Sequence, residues 1–346
     1  MSILTFRYRI KDSTARTHLL RLGHAVNYVW NFCNETTLAI WRREKRFVSA
    51  FELINLTAGA GHDLGLHTDT LSEICQEYVR KRKACRKIRL SWRSQKRSLG
   101  WIPFKGRCVR VDADTVIYKG RRLRFWLSRP IEGTIKTGSF AQDAQGHWYV
   151  NFACEVEDAG GPLGEAALGI DLGLTDQIAC SDGTTYSRAN LTRRHEQSLA
   201  TAQRARKKRR VKAIHAKIAR CRKDWTHKVT TAIVRTATLI VVGNVSSTKL
   251  AKTSMAKSVY DAAWGMTRTF LQYKAMRLGA IYRDVNESRS SLTCADCLAE
   301  TGPRGLSGLG VRVWLCSNCG VLHNRDTNSA QVILRCGRAA LVPGIP

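Results

Sequence analysis

Two Cys-x-x-Cys pairs near the end of this chain constrain its structure more than any other feature. Cys294 and Cys297 form the first pair, and Cys316 and Cys319 form the second after eighteen intervening residues. Each Cys-x-x-Cys turn presents two sulfur atoms on one side, so two such turns can surround a Zn²⁺ ion tetrahedrally. We therefore expect residues 291–320 to form a structural zinc ribbon. A disulfide pair and ordinary buried cysteines are the alternative interpretations.

The chain carries far more positive than negative charge. Its 346 residues include 57 Lys and Arg against 27 Asp and Glu, which gives a net charge of +30 and a pI of about 10.2. A folded chain this basic attracts polyanions, so nucleic acid is the expected partner and an anionic membrane surface the weaker alternative. The sequence contains no run of eighteen apolar residues, so we expect no transmembrane helix and no membrane partner.

The remaining cysteines indicate a reducing compartment. They are scattered without paired spacing, at positions 33, 75, 85, 108, 154, 180, 221 and 336. This distribution fits reduced thiols better than a disulfide framework. The first residues also lack a basic segment followed by an apolar core, so no secretory signal is evident. We expect a cytoplasmic protein.

Two stretches of the first 158 residues alternate in polarity with a period of two. They cover residues 1–10 and 101–157, and Lys119-Gly120 marks a hairpin turn in the second stretch. Alternation of this kind is typical of antiparallel strands with one buried face. We predict a small barrel built from residues 1–14 and 99–158.

The residues between these stretches, 15–98, have helical spacing and form a predicted insertion. Apolar residues recur at intervals of three and four over 15–47 and again over 69–96. The far end of the second predicted helix is densely basic. This favours nucleic-acid contact through Arg82 and Arg86, and a solvated basic face is the alternative.

The chain after the glycine-rich linker at 158–164 alternates between strands and helices. The predicted elements are a strand ending at Asp171, a hairpin, a helical stretch at 191–235, a strand at 238–243, a helix at 256–278 and a strand at 280–286. A strand, a helix and a second strand in this order form a parallel crossover, which indicates an open α/β sheet.

The helical stretch at 191–235 is the most basic part of this half. It carries fourteen Lys and Arg between Arg193 and Lys228, together with apolar anchors such as Ile218 and Trp225. The anchors distinguish it from a disordered basic tail. We expect it to contact nucleic-acid phosphates. The candidate residues are Arg206, Lys207, Lys208, Arg209, Arg222 and Lys228.

Three acidic residues lie at the ends of predicted strands or at the start of a predicted helix in this half of the chain. Asp171 ends a strand, Glu287 follows another, and Asp326 opens the last helix. Ligand sites of open α/β sheets lie beyond the carboxyl ends of the strands, and carboxylate oxygens suit Mg²⁺ or Mn²⁺. Two such ions can promote phosphodiester hydrolysis. Each acid alone is also consistent with an ordinary cap or turn residue.

These motifs resemble those of the TnpB family of transposon-encoded RNA-guided DNA endonucleases, which are related to type V CRISPR effectors. The resemblance is strongest from 168 to 335 and spans most of the chain. Its motifs are Gly169-Ile-Asp171-Leu-Gly-Leu, the two cysteine pairs, Asn324-Arg325-Asp326-Thr-Asn328-Ser-Ala330, Arg222-Lys-Asp-Trp225-Thr-His227-Lys228, Ser254-Met-Ala-Lys-Ser-Val-Tyr260-Asp261 with Trp264, and Tyr273-Lys274-Ala275.

The resemblance implies an α+β multidomain protein. Residues 1–14 and 99–158 would form a wedge β-barrel, and 15–98 its inserted recognition helices. Residues 165–290 and 321–346 would form a RuvC nuclease domain of ribonuclease-H-like fold, with the zinc ribbon inserted. Asp171 and Asp326 match the first and third catalytic acids, and the four cysteines match the zinc ligands. The implied partners are a guide RNA and target double-stranded DNA in the bacterial or archaeal cytosol or nucleoid. A dimer on the RNA is compatible with the resemblance.

One position departs from the family pattern. The central strand of the family ends in a Glu-Asp-Leu sequence, whereas this strand reads Val242-Gly243-Asn244. The neighbouring strand predicted to run parallel to it leads to Glu287, and adjacent strands are about 4.8 Å apart. We therefore predict that Glu287 supplies the missing carboxylate, an arrangement similar to that of some branches of the family.

The resemblance implies an endonuclease that cuts double-stranded DNA next to a short flanking motif. Candidate readers of that motif are Arg7, Asn27, Asn31 and Asn34. A nuclease-dead RNA-guided repressor is the alternative, and Gly243 is the residue that favours it. A plain zinc-ribbon nucleic-acid-binding protein would leave the three acids unexplained.

Overall fold

The protein is described by a computed structural model that covers residues 1–11, 13–158, 161, 164–174, 176–187, 191–244, 262–304 and 307–340. The chain divides into two compact units, Met1–Glu157 and Asp158–Pro346, which are called unit 1 and unit 2 below. Over these ranges we find no helix with both the length and the apolar character needed to cross a bilayer. Most of the 158–164 linker and the motif at 254–261 lie outside the described residues.

Unit 1 contains two antiparallel sheets. The first consists, in spatial order, of β1 (Ser2–Arg9), β7 (Trp148–Val156), β6 (Thr134–Gln142) and β2 (Trp101–Lys105). The second consists of β3 (Val109–Asp112), β4 (Thr115–Tyr118) and β5 (Arg121–Arg124). A bridge between Ile10 and Phe125 connects the ends of the two sheets. The N-terminal strand therefore joins the later strands, as its alternating polarity predicts.

Aromatic side chains fill the space between these sheets. Tyr8, Phe104, Tyr118, Phe140 and Phe152 are fully buried, with ring centroids between 5.2 and 6.4 Å apart in neighbouring pairs. The predicted turn at Lys119-Gly120 is confirmed, because both residues have positive φ (47° and 74°), as a type I′ hairpin requires.

The helices of unit 1 are α1 (Ser13–Glu44), α2 (Ala50–Leu56) and α3 (Thr68–Ala84). The predicted second helix is therefore too long by twelve residues (96 against 84). Its basic end crowds like charges one turn apart, which disfavours a helix, and Arg86 has a left-handed φ of 50°. Helix α2 was not predicted, although Ser49 and Glu52 form a capping box that marks its start.

Unit 2 is built on an open sheet with both parallel and antiparallel neighbours. Its described strands, in spatial order, are β10 (Thr185–Tyr186), β9 (Ile178–Cys180), β8 (Ala166–Asp171), β11 (Ala237–Gly243) and β12 (Ile281–Val285). β11 runs parallel to both β8 and β12, which confirms the predicted parallel crossover. The carboxyl ends of these three strands therefore lie at one edge.

The basic segment of unit 2 is a series of helices rather than one. They are α4 (Leu191–Arg194), α5 (Glu196–Arg204) and α6 (Lys208–Thr236). The break falls at Arg206, whose φ of 51° is left-handed and cannot continue a right-handed helix. The described part of the next helix is α7 (Trp264–Arg277), and residues 245–261 of the segment before it lie outside the described residues.

A short hairpin leads into the last helix. It consists of β13 (Val313–Leu315) and β14 (Leu322–Asn324), and α8 (Arg325–Ala339) begins directly after it. α8 packs against β8 so closely that a Cβ atom at Gly169 would lie 2.0 Å from the carbonyl oxygen of Ala330. Only glycine fits there, and this contact places the start of α8 at the edge where β8 ends. The architecture as a whole is α+β.

Candidate active site and metal centre

The four cysteines of the predicted ribbon come together around one point. Cys294 and Cys319 have their Sγ atoms 3.7 Å apart, and those of Cys297 and Cys316 are 3.6 Å apart. All four sulfurs lie within 4.8 Å of one another. A zinc tetrahedron with bonds of about 2.3 Å has edges of about 3.8 Å. The cluster therefore has the geometry to hold zinc, whereas the distances are too long for disulfides, whose S–S bonds are about 2.05 Å.

The pKa values of the four cysteines shift in opposite directions, lowered at Cys297 and Cys316 and raised at Cys294 and Cys319. The Thr301 hydroxyl donates a hydrogen bond to Cys316 Sγ (3.1 Å) and lowers the pKa of Cys316 to about 6. The buried ring of His323 places Nε2 3.0 Å from Cys294 Sγ and lies against Trp314. Because the thiolate is the metal-binding form, the Thr301 contact supports a metal centre at Cys316. Neither Thr301 nor His323 was predicted, because hydrogen bonds to sulfur leave no spacing pattern.

The predicted acids lie at the carboxyl edge of the sheet of unit 2. Asp171 ends β8, and the preceding residue, Ile170, is paired with Val242 of β11. Gly243 follows Val242 and is paired with Val285 of β12, and Glu287 comes two residues later. Asp171, Gly243 and the segment carrying Glu287 therefore follow one another across three neighbouring parallel strands.

The side chain of Glu287 occupies the space that position 243 leaves empty. A Cβ atom built on Gly243 would lie 2.3 Å from Glu287 Oε2 and 3.1 Å from Glu287 Cβ. The next residue, Asn244, accepts a weak hydrogen bond from the Glu287 backbone N–H (3.4 Å) and donates its own N–H to Val285 (2.9 Å). The carboxylate of Glu287 thus lies where a side chain of the central strand would otherwise project.

The carboxyl group of Asp171 senses the negative charge of the other two acids. Burial, together with the charges of Glu287 and Asp326, raises the pKa of Asp171 to about 7, while the charge of Arg325 opposes this rise. Like charges in a desolvated site disfavour ionisation unless a cation neutralises them. Burial is the larger cause of the raised pKa, and the two neighbouring carboxylates add to it. Three acids in one desolvated place are an arrangement that suits a divalent cation.

Asp326 is held by an arginine from the ribbon. It lies in the first turn of α8, and its backbone N–H donates to the N-cap residue Asn324. Nη1 of Arg312 lies 3.3 Å and 3.2 Å from the two carboxylate oxygens of Asp326. Among the described residues, Asp171, Glu287 and Asp326 do not form a set whose ligand atoms all lie within 4.8 Å of one another. The three acids share one edge, but their oxygens stay further apart than the ligands of a single ion.

Asn328 connects the ribbon to the helix that carries Asp326. Its Oδ1 accepts from the Ala295 N–H (2.8 Å), and its Nδ2 donates to the Thr293 carbonyl (2.8 Å). The side chain is buried, so these bonds are shielded from water. The first cysteine turn is therefore fixed to α8 at a position two residues after Asp326. From the sequence, Asn328 was recognised only as part of a motif.

Family models match most of unit 2. The model "Probable transposase" matches residues 151–254, and the model "Cas12f1-like, TNB domain" matches residues 264–333. The second match contains all four cysteines, Glu287 and Asp326. The chain belongs to the TnpB family. This confirms the membership that the sequence motifs predict.

Two curated proteins and one solved structure are similar to this TnpB family member. A putative RNA-guided DNA endonuclease of Streptomyces pristinaespiralis is 35% identical over 233 residues, which cover 63% of this chain and 57% of the relative. The putative RNA-guided DNA endonuclease InsQ of Escherichia coli (strain K12) is 28% identical over 252 residues, 64% of this chain and 61% of the relative. The matches thus span about three fifths of each relative's length.

The similar structure is a chain of a Cas12f1–sgRNA–target DNA complex determined by cryo-EM. The TM-score is 0.61 at 13% identity, with 93% of this chain and 83% of that chain covered. At this identity the likeness concerns the fold. It extends over both units, so the α+β architecture of this TnpB family member is similar to that of Cas12f1.

The predicted nucleic-acid contacts fall into an exposed set and a buried exception. Arg86, Arg206, Lys207, Lys208, Arg209 and Lys228 are exposed, and Arg222 is half-buried. Lys228 pairs with Asp224 one turn before it (2.8 Å). Arg82, by contrast, is 4% exposed, and its guanidinium lies 3.9 Å from the centroid of the Phe47 ring. Arg82 therefore anchors α3 in unit 1 and is not part of the exposed basic surface, because it lies on the helix face that packs inward.

The predicted motif readers are also divided by burial. Asn27 and Asn34 are buried in α1 and cannot present an amide to a base edge without a rearrangement. Asn31 is half-buried, and its amide is used within the chain. Arg7 is exposed on β1 and lies over the Tyr149 ring, so it is the one of the four that the surface presents.

Proposed function

We propose that this chain is an RNA-guided DNA endonuclease that cuts double-stranded DNA next to a short flanking motif. The observation that carries the proposal is the position of Glu287, whose carboxylate fills the space above Gly243 on the strand beside Asp171. A chain that had lost its nuclease activity would have no need to replace the missing side chain at this place. The names of the relatives support the same activity.

In the proposed domain arrangement, residues 1–14 and 99–158 form the wedge barrel and 15–98 the recognition helices. Residues 165–290 and 321–346 form the RuvC nuclease domain, and 291–320 the zinc ribbon. Zinc bound by the four cysteines would hold the ribbon, and through Asn328 the start of α8, in place. The exposed basic residues of α5 and α6 would neutralise phosphates of the guide RNA or of its duplex with the target.

The proposed reaction takes place at the carboxyl edge of the sheet. Asp171, Glu287 and Asp326 would hold Mg²⁺ or Mn²⁺, which supplies a nucleophilic water and neutralises charge on the phosphate. The P–O3′ bond breaks, leaving a 5′-phosphate and a 3′-hydroxyl. Asp171, whose pKa is raised by both other acids, would be one of the ligands. Arg312 would have to release Asp326 before this carboxylate could take part.

The first experiment is sequencing of the RNA that co-purifies with the protein when it is expressed with its native flanking DNA. A single species with a constant scaffold and a variable end would support guided targeting and supply the guide for a cleavage assay. Heterogeneous cellular RNA alone would contradict it. The mass of the purified complex would also test the predicted dimer on RNA.

A nuclease-dead RNA-guided repressor is the second candidate function, and the absence of an acid at Gly243 favours it. The two functions differ in a Mg²⁺-dependent cleavage assay with the co-purified guide. Cleavage by the wild-type chain that is lost in Asp171→Ala supports the endonuclease. Target binding without cleavage by the wild-type chain would support the repressor.

A further inference from the structure

An exposed aromatic groove runs along α1 in unit 1. Tyr28, Phe32 and Trp92 line it with 66%, 38% and 49% of their surface exposed, and its volume is about 610 Å³. Tyr28 and Phe32 are one turn apart on α1, on the side opposite the buried face that contains Leu22 and Val26. Exposed aromatic side chains that adjoin one another form a patch of the kind that often marks a binding site.

Two asparagine side chains of α1 fix the backbone on either side of Trp92. The Asn31 amide donates to the Arg93 carbonyl (2.8 Å) and accepts from the Arg93 N–H (2.9 Å). The Asn34 amide makes the same pair of bonds with Leu90, at 2.8 Å and 2.9 Å. Each amide thus closes a two-bond ring with the backbone, as a neighbouring strand would. The residues on both sides of Trp92 are fixed to α1, so the ring is presented in a defined place.

The segment that carries Trp92 is basic throughout. Residues 85–99 contain six Lys and Arg and no acid, namely Arg86, Lys87, Arg89, Arg93, Lys96 and Arg97. All of these except Arg93 are exposed. Arg93 instead lies over the Trp30 and Trp101 rings and anchors the segment. Glu35 and Arg43 also line the groove and offset each other's charge, so the excess positive charge comes from the segment at 85–99. An aromatic groove beside that charge suits a polyanion whose units have flat apolar faces.

We propose that the groove formed by Tyr28, Phe32 and Trp92 is a stacking platform for an unpaired nucleobase. The proposal rests on the proposed function, because it assumes that the chain binds nucleic acid. Stacking on an aromatic side chain tolerates any base, since every base has an apolar face. The basic segment would hold the adjacent phosphates. The occupant is single-stranded nucleic acid, in which bases are free to leave the helix, rather than an intact duplex.

The test compares Trp92→Ala and Trp92→Phe with Trp126→Ala in the full-length, zinc-loaded chain. Trp126 is a matched control, because it is 61% exposed in the same unit but lies outside the groove. The dissociation constants for a single-stranded oligonucleotide and for a duplex of the same sequence are measured by fluorescence anisotropy. Trp92→Ala is expected to weaken single-strand binding by about five- to hundredfold. Duplex binding by this variant, and both affinities of Trp126→Ala, should change little.

The salt dependence separates stacking from charge. Trp92→Ala should weaken binding equally at every salt concentration, whereas Arg89→Gln should reduce the slope of log K against log[salt] by about one. Trp92→Phe keeps a ring and should retain most of the affinity. It also keeps the test decisive if Trp92→Ala fails to fold, which a thermal melt would show.

Several results would overturn the platform. Unchanged single-strand affinity in Trp92→Ala is one, and a loss in Trp92→Phe as large as that in Trp92→Ala is another. A fall in molecular mass of Trp92→Ala in sedimentation, at unchanged affinity, would mean that a second copy of the chain occupies the groove. If the wild-type chain binds neither oligonucleotide, the proposed function fails together with the platform. If wild type and Trp92→Ala bind equally, only the platform fails.

Discussion

The cysteine cluster and the carboxylate cluster of unit 2 are assembled in different ways. The four sulfurs come from two turns between positions 294 and 319, and they already lie at the distances of a zinc tetrahedron. The three carboxylates come from β8, from the segment after β12 and from α8, and their oxygens are more widely spaced than the sulfurs. One site is fixed by local turns, and the other depends on the whole sheet.

The two clusters also differ in how their surroundings affect the charge of the ligand groups. Hydrogen bonds from within the ribbon favour thiolate at Cys316, which prepares that sulfur for a metal. At the acid site, burial and mutual repulsion raise the pKa of Asp171, and Asp326 takes Arg312 as its counter-ion. The cysteine cluster therefore has the spacing of a zinc site, and one of its sulfurs already favours the thiolate form. For the acid site, in contrast, we predict that the three carboxylates approach one another only when a cation is bound.

The largest effect is expected from Asp171→Asn. This change removes the buried carboxylate that senses both other charges, so cleavage by the guide-loaded protein should fall by about a thousandfold or more. Guide RNA should still co-purify, because Asp171 is not part of the exposed basic surface. The initial rate of plasmid linearisation at fixed Mg²⁺ measures the effect. A rate within tenfold of the wild type would show that Asp171 is not a metal ligand.

The relocated acid gives the second largest effect. Glu287→Ala should reduce cleavage by about a hundredfold, since one of three carboxylates is lost. Gly243→Glu alone should destabilise the chain, because the new side chain meets Glu287 Oε2 at 2.3 Å. The double change Gly243→Glu with Glu287→Ala restores an acid above the same place.

The double variant tests whether cleavage needs a carboxylate at this place in the fold, whichever of the two residues carries it. It should cleave about tenfold faster than Glu287→Ala, because the carboxylate returns to the edge beside Asp171. Glu165→Ala, which removes an exposed acid of unit 2 outside the ribbon, serves as the control and should leave the rate unchanged. Full activity in Glu287→Ala would mean that the acid site works with two carboxylates, and it would reduce the difference between the two clusters.

Mutation of the cysteine cluster is expected to slow cleavage by disturbing the local structure, because the cysteines take no part in the proposed reaction. Cys316→Ser should remove the single zinc ion and unfold the ribbon locally, because metal binding supplies the folding energy of such sites. Cleavage should fall by about ten- to hundredfold, through loss of the Ala295–Asn328 bond that holds the start of α8. Cys336→Ser, an exposed cysteine on α8, is the matched control.

Zinc content by elemental analysis and cleavage rate are measured on the same samples. A zinc-free Cys316→Ser protein that cleaves at the wild-type rate would show that the ribbon does not position Asp326. It would also separate the two clusters functionally, although contacts such as those of Asn328, Arg312 and Arg325 connect them.

The same difference explains what could be predicted from the sequence. Short-range patterns succeeded: the cysteine spacing, the Lys119-Gly120 turn and the buried face of α1 are all present. The parallel order of β11 and β12 followed from a helix between two strands, and it led to Glu287. Each of these depends on neighbouring residues or on a rule of chain connection.

Features that depend on which side of a helix packs inward were predicted less well. Arg82 was expected at the surface because its neighbours are basic, but α3 turns this residue towards Phe47. Asn34 was expected to contact DNA, yet its amide replaces a backbone partner for Leu90. The helices at 69–96 and 191–235 were predicted without breaks, because repulsion between like charges and a left-handed Arg206 leave no hydrophobic signature. Composition identifies charge, but packing decides where it is used.

A third cluster, in unit 1, sharpens the comparison. Its ligand atoms lie as close together as those of a metal site, but an arginine already neutralises its acid. The ligand atoms of His67, Asp69 and Cys108 lie within 4.8 Å of one another. However, Arg107 donates to both oxygens of Asp69 (2.6 Å and 2.5 Å), and His67 Nδ1 accepts the Asp69 N–H as the N-cap of α3. The positive charge is already supplied, so we expect one zinc per chain and no change in zinc content in Cys108→Ser.

The smallest effect is expected from Asp69→Asn in this third cluster. Arg107 holds the pKa of Asp69 well below its ordinary value of 3.8. A depressed carboxyl pKa contributes stability that is present above that ordinary value and is lost as the pH falls towards the folded-state pKa. At pH 7 the variant should therefore lose about 1–2 kcal/mol of unfolding free energy, a modest amount because Arg107 is largely exposed. The difference between variant and wild type in urea unfolding should shrink below about pH 4. A difference at pH 2 as large as that at pH 7 would mean that the amide disturbs packing rather than charge. In that case the charge on Arg107 would not be what distinguishes this cluster from the cysteines.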